Sequence, residues 1–247
     1  MFSSHCCAAM LHGVEELERL LSDPPLEIEV VEPHLIEGKS RPHAVYIGYP
    51  VEAVFRAMFG DQWKTSADHI EFRALDGYVS RIPAGRFDRY RAYLVFAKKD
   101  AREFKVDNLA QHQRDVALAP YYLVWDNIHD PGLIRDGGTY WPYQVNEILI
   151  SKTPEEIPGG RSPDAFDLEK YCLSCHRVNG YGGNKVPFDL AEQAKILGKE
   201  SFLAWVLNPS SIRPDTGMPA LNEGRPEAER RQLALRLFGY LNGLPHK

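Results

Sequence analysis

Hydrophobic and polar positions change rhythm about two thirds of the way along this chain of 247 residues. Up to residue 150 the apolar runs are short and often alternate with polar residues, the period of half-buried strands. Strands are predicted at 27–31, 43–49, 69–75, 78–82, 92–97, 121–125 and 144–150, with Asp76-Gly77 as a hairpin turn between the third and fourth. Two helices interrupt this region. One covers 14–21 and is closed by Ser22-Asp23-Pro24-Pro25; the other covers 51–59, with Val51, Val54, Phe55 and Met58 on one face and Gly60 at its end.

Residues 153–163 carry three prolines and two glycines and read as a linker. Beyond it the spacing is helical. Ser162-Pro163, with Asp164 in the first turn, starts a helix that puts Leu168, Cys172 and Cys175 on one face. A second helix is predicted over 200–207 through Phe202, Leu203 and Val206. A third begins at Pro226, where Leu233, Leu237, Tyr240, Leu241 and Leu244 recur and Gly243 can cap the end. The stretch 178–184 between the first two helices has loop composition. The chain therefore divides into an N-terminal helical segment (1–25), a mostly β, α+β domain (26–153), a linker (154–160) and an all-α domain (161–247).

The chemistry concentrates at Cys172-Leu173-Ser174-Cys175-His176, a C-x-x-C-H sequence. This spacing is the signature of c-type haem attachment. Two cysteines three apart on one helical turn can reach both vinyl groups of a porphyrin, and His176 is then held against the haem face as an iron ligand. A structural zinc site would need four protein ligands. There is no cysteine after Cys175, and the only later histidine is His246. A redox C-x-x-C would have no use for His176 and would sit in a thioredoxin-like βαβ unit, which the pattern does not contain.

The flanks of this motif resemble a class I cytochrome c, over about residues 161–247, and the resemblance implies an all-α cytochrome c fold around one covalent haem c. Residues 207–221 are similar to the distal loop of bacterial cytochromes c, which implies Met218 as the sixth iron ligand opposite His176. Met218 lies 42 residues beyond His176 and is the only methionine after Met58; His246 is the fallback ligand. Pro187 resembles the proline that packs beside the proximal histidine, which implies a nearby backbone carbonyl accepting from Nδ1–H and making the ligand more electron-donating. In such domains the first and last helices cross near the haem edge, which implies Phe166 and Tyr240 at the crossing.

Charge adds location and partner. The net charge of −5 gives no case for nucleic acid, and no run of ~18 apolar residues predicts a transmembrane helix. From residue 161 onward there are 12 Lys+Arg against 10 Asp+Glu, which leaves 17 against 24 in the first 160. An acidic N-terminal domain would orient a basic redox partner. Haem is attached to C-x-x-C-H outside the cytoplasm, so a periplasmic location is expected. Residues 1–25 read as a helix or the remains of an export signal. As a signal they are poor: residues 1–10 contain no Lys or Arg and the apolar stretch at 8–11 is short. Cys6 and Cys7 are left over, with an intermolecular disulfide or a lipid anchor open to them.

The N-terminal domain resembles the molybdopterin-binding domain of the sulfite oxidase family. The carrying residues are 72–78 (Phe-Arg-Ala-Leu-Asp-Gly-Tyr), 122–125 (Tyr-Leu-Val-Trp) and 141–145 (Trp-Pro-Tyr-Gln-Val). The family binds molybdenum through a cysteine, and no cysteine lies between Cys7 and Cys172. A molybdopterin site is therefore not expected, and the domain reads as a docking module with no catalytic residue. His69, His112 and His129 lack metal-type spacing. The expected function is a periplasmic c-type cytochrome passing single electrons between a dehydrogenase or respiratory-chain partner and an acceptor. The alternatives are a sulfite-dehydrogenase-like oxidoreductase with a fused cytochrome, and a haem-based gas sensor.

Overall fold

The structure is a computed structural model that describes residues 6–11, 13–66, 68–151, 158–160, 162–222 and 224–245. The chain forms two compact units. The first takes in Met1–Asp76, Ser80–Asp107 and Arg114–Pro154; the second takes in Gly77–Val79, Asn108–Gln113 and Glu155–Lys247.

The first unit is built on β1 (Cys6–Met10), α1 (Val14–Leu20), β2 (Leu26–Val31), β3 (His43–Pro50), α2 (Val51–Phe59), α3 (Trp63–Ser66), β4 (His69–Ala74), β5 (Val79–Pro83), α4 (Gly85–Arg89), β6 (Ala92–Lys98), β7 (Lys105–Asn108), β8 (Gln113–Ala117), β9 (Tyr122–Trp125) and β10 (Val145–Ser151). They make one sheet in the order β1-β10-β4-β5, a second in the order β2-β3-β6-β9, and the pair β7-β8. Alternation sets the buried faces: Ile70, Phe72 and Ala74 point inward from β4, where Ile150 and Ile148 of β10 lie opposite Ile70 and Phe72. Phe55 of α2 fills the core beside Phe72 and Phe87, whose ring centroids lie 6.1 and 5.3 Å away, and Phe87 in turn meets Trp125 at 5.0 Å. Phe55 is fully buried, so truncating it to alanine would cost about 3–5 kcal/mol.

The second unit is centred on α5 (Pro163–Tyr171), β11 (Arg177–Val178), β12 (Tyr181–Gly182), α6 (Leu190–Leu207), α7 (Pro209–Ile212) and α8 (Glu227–Gly243). Ser162 caps α5, its Oγ accepting from Ala165 N–H at 3.1 Å. α6 is two helical pieces joined at Gly198, whose φ of 69° no other residue type adopts freely. Its first half, opened by Asp189 accepting from the Ala191 N–H at 2.9 Å, was not predicted. α8 packs on α6 and α5. Together they bury Leu168, Ala194, Phe202, Leu203, Ala234, Leu237 and Leu241 in one cluster.

Several expectations are corrected. The expected fold class, a mostly β domain followed by an all-α cytochrome c domain, is overturned. The described chain is mixed α and β, 37% helical and 26% strand with several sheets, and no all-α C-terminal domain is present. The local reason is Asn179-Gly180, read from sequence as loop. Both residues take positive φ, 52° and 84°, and so form the tight turn that pairs β11 with β12. Of residues 1–25, the described β1 pairs with β10, and Leu11 and Leu17 lie in the first unit's core. The pair β7-β8 was not foreseen. Of the linker, residues 154–157 lie outside the described residues, while Pro158 accepts a hydrogen bond from the Tyr240 hydroxyl at 2.6 Å. Among the described residues no helix is long and apolar enough to cross a membrane.

Candidate functional site

The C-x-x-C-H motif follows directly on α5. The helix ends because Cys172 leaves helical geometry (φ −123°, ψ −43°). The cysteines therefore sit on a separate turn and not on the helix face that the spacing suggested. That turn is closed by the Cys172 carbonyl, which accepts from Cys175 N–H at 3.3 Å and His176 N–H at 3.0 Å.

Two glycines let the following chain lie flat against this turn. A Cβ on Gly183 would stand 2.1 Å from the Ser174 carbonyl oxygen, and one on Gly182 would stand 2.3 Å from the His176 carbonyl oxygen. Only a residue without a Cβ permits either approach. Gly183 N–H donates to Leu173 O at 2.7 Å and Val186 N–H to Cys175 O at 3.2 Å. Asp189 ties the same region together: it accepts from Asn179 N–H and also caps α6.

His176 is nine-tenths buried, and its Nδ1 has no hydrogen-bond partner. Burial pushes its pKa down to about 4, so the ring is neutral at neutral pH and offers one lone pair to a metal, whichever nitrogen carries the proton. Phe188 lies over it with ring centroids 5.2 Å apart. Cys172 and Cys175 are not joined in a disulfide. Burial, with smaller contributions from Cys175 and Asp167, pushes the Cys172 thiol up to about 12. A redox dithiol or a zinc site works through thiolates, whereas the half-buried Cys172 is held toward its protonated form.

Cys172 and Met218 pack against the same apolar cluster, the one that includes Leu173, Phe202 and Leu237. The residues fit a covalently bound haem. Two thiols lie on one closed turn, an uncharged imidazole with an orphaned nitrogen follows them, and a thioether lies on the same cluster.

Other predicted residues fare differently. Pro187 is exposed, and the hydrogen bond expected from His176 Nδ1 to a nearby carbonyl is not made. Tyr240 packs against the second core, but Phe166 is about half exposed and forms no buried helix crossing. His246 lies outside the described residues, as do the side chains of Cys6 and Cys7.

The first unit has a polar centre that sequence reasoning did not find. Glu32 is fully buried. Its Oε2 accepts from the Tyr46 hydroxyl at 2.6 Å. Its Oε1 accepts from the Tyr122 hydroxyl at 3.0 Å, from His34 Nδ1 at 2.8 Å and from His34 N–H at 3.1 Å. Burial pushes the Glu32 carboxyl up, but the His34 ring, its charge and the Tyr46 hydroxyl more than offset this and hold it below the usual carboxylate range. Among the described residues no group of three or more His, Cys, Asp or Glu could hold a metal ion. Trp125 and Trp141 are both core residues, the Trp125 indole N–H donating to Tyr140 O at 2.7 Å. No protein-family model matches this chain, and no curated protein matches it significantly.

Proposed function

We propose that this chain is a c-type haem protein of the periplasm that passes single electrons between redox partner proteins. One haem c is held by thioether bonds from Cys172 and Cys175, with His176 and Met218 as axial ligands. The observation that supports this most is the closed C-x-x-C-H turn that buries a neutral imidazole with an unpartnered nitrogen. When bound, haem iron supplies a reversible one-electron change of oxidation state. The chain does the rest. The cysteines tether, His176 and Met218 leave no coordination position for a substrate, and the apolar cluster keeps water away. The soft thioether of Met218 favours the reduced ion and raises the potential relative to two imidazoles. The first unit serves as a docking module, its acidic excess suited to a basic partner.

The test is expression of the full chain in a host with c-haem maturation. Haem should stay on the full-length band through denaturing electrophoresis and acid–organic extraction, and Cys172→Ser should remove most of it. Complete extraction from the wild type would overturn the proposal. Met218→Ala should lower the potential and admit carbon monoxide to the reduced protein; an unchanged spectrum and potential would take Met218 off the iron. Metal analysis should find about one iron per chain, as one haem per C-x-x-C-H requires. Stoichiometric molybdenum would replace this reading with the oxidoreductase one.

A further inference from the structure

The segment that carries Met218 is a loop running from the end of α6 to Leu221. Its two ends are drawn together. Leu221 N–H donates to Val206 O at 2.8 Å. Arg230, on α8, then spans the gap with one guanidinium: Nε donates to Leu221 O at 2.8 Å and Nη2 to Leu207 O at 2.6 Å. Leu207 is the last residue of α6, so its carbonyl is one of those a helix end leaves without an intrahelical partner. The planar guanidinium presents its donors in a rigid fork that spans both carbonyls with little further loss of freedom; an ammonium is a compact point charge on a flexible stem. Above this base the loop is ordered by local bonds. Thr216 N–H donates to Arg213 O at 3.0 Å, and Met218 N–H to Thr216 Oγ1 at 3.2 Å.

We infer that Arg230 is a positioning residue for Met218: by clamping both ends of the loop it sets how firmly the thioether is held at the iron. This rests on Met218 being the sixth ligand. Arg230 acts through the loop base, where its two bonds are made. Its loss should therefore leave the thioether tethers and His176 in place while letting Met218 dissociate more often.

The test uses the haem-loaded full chain and two probes, cyanide for the oxidised protein and carbon monoxide for the reduced. Arg230→Leu should bind both at least about tenfold faster than wild type, a factor that the net loss of a single hydrogen bond of the base would already produce. The thioether-to-iron charge-transfer band of the oxidised protein should weaken, with covalent haem content unchanged. Met218→Ala sets the upper limit of the binding rates. Arg230→Lys keeps the charge and the aliphatic stem, carries the test should Arg230→Leu fail to accumulate, and should shift the rates in the same direction by less. A wild type that lacks the band and binds both probes as fast as Met218→Ala would overturn the ligand reading and the inference together. A wild type with the band, and Arg230 variants with wild-type rates and band, would overturn the inference alone.

Discussion

Among the described residues each unit buries one imidazole, and the two are treated in opposite ways. His34 lies beside a fully buried carboxylate, and its Nδ1 is 2.8 Å from Glu32 and 3.0 Å from the Tyr122 hydroxyl. The Glu32 carboxylate, His34 Nδ1 and the Tyr46 and Tyr122 hydroxyls answer one another within the same unit. His176 is buried to a similar degree with Phe188 against its ring, and its Nδ1 has no hydrogen-bond partner. An unanswered buried polar atom costs about 1–3 kcal/mol. The first arrangement is a scaffold that specifies its own packing; the second holds a ligand-type side chain ready at a stability cost that other contacts offset.

The contrast can be broken most forcefully at Glu32. Glu32→Ala should destabilise the first unit by about 3–5 kcal/mol, because two tyrosine hydroxyls and His34 lose a buried charged partner. Hydrogen exchange at Leu123 and Val124 should report it, while the haem spectrum stays as in the wild type. A haem spectrum that changes in step would show that the two centres are not independent.

Gly183→Ala is the matching test in the second unit, with an expected cost of about 1–3 kcal/mol. The new Cβ would meet backbone, which cannot rotate aside, so the motif turn must shift. Haem incorporation should fall and exchange at Leu123 should not change. Normal incorporation would mean that the turn is less constrained than its hydrogen bonds imply.

The smallest expected effect is in pH. Glu32 is held below the usual carboxylate range, so the folded unit binds fewer protons than the unfolded one between the two pKa values. The associated stability is complete above the unfolded carboxylate pKa, ~4.3, and is lost as pH falls through the folded value. Asp126 acts in the same sense: burial raises its pKa, and His129 and Arg91 more than offset this. Acid unfolding of Glu32→Gln should therefore be shallower than wild type in that window without becoming flat. Equal slopes would remove Glu32 from the acid response.

The two centres also differ in how far they could be read from sequence. The C-x-x-C-H motif is local, so five consecutive residues carried it. The Glu32 centre joins residues up to 90 positions apart, Glu32 to Tyr122, and no spacing rule links them. Strands with clean alternation, such as β4, were legible because one face meets a core. β7 and β8 were not: β7 is short and one of its two buried positions is the polar Asn108, and β8 buries no residue. Two further signals are local. Asn179-Gly180 is a strong hairpin signal set in a segment of loop composition. Asp189 with Glu192 three positions on is a helix-start signal ahead of the kink at Gly198.

The pairing of β1 with β10 carries a further consequence. The order β1-β10-β4-β5 puts β1 on the outside of the sheet, so β10 has neighbours on both sides only while β1 is present. A shortened chain that began at Leu11 would turn β10 into an open border with a row of unmet N–H and C=O groups. Such a border recruits strands from other molecules. β1 thus acts as a guard against self-association, and a chain lacking it should sediment as dimers or larger species.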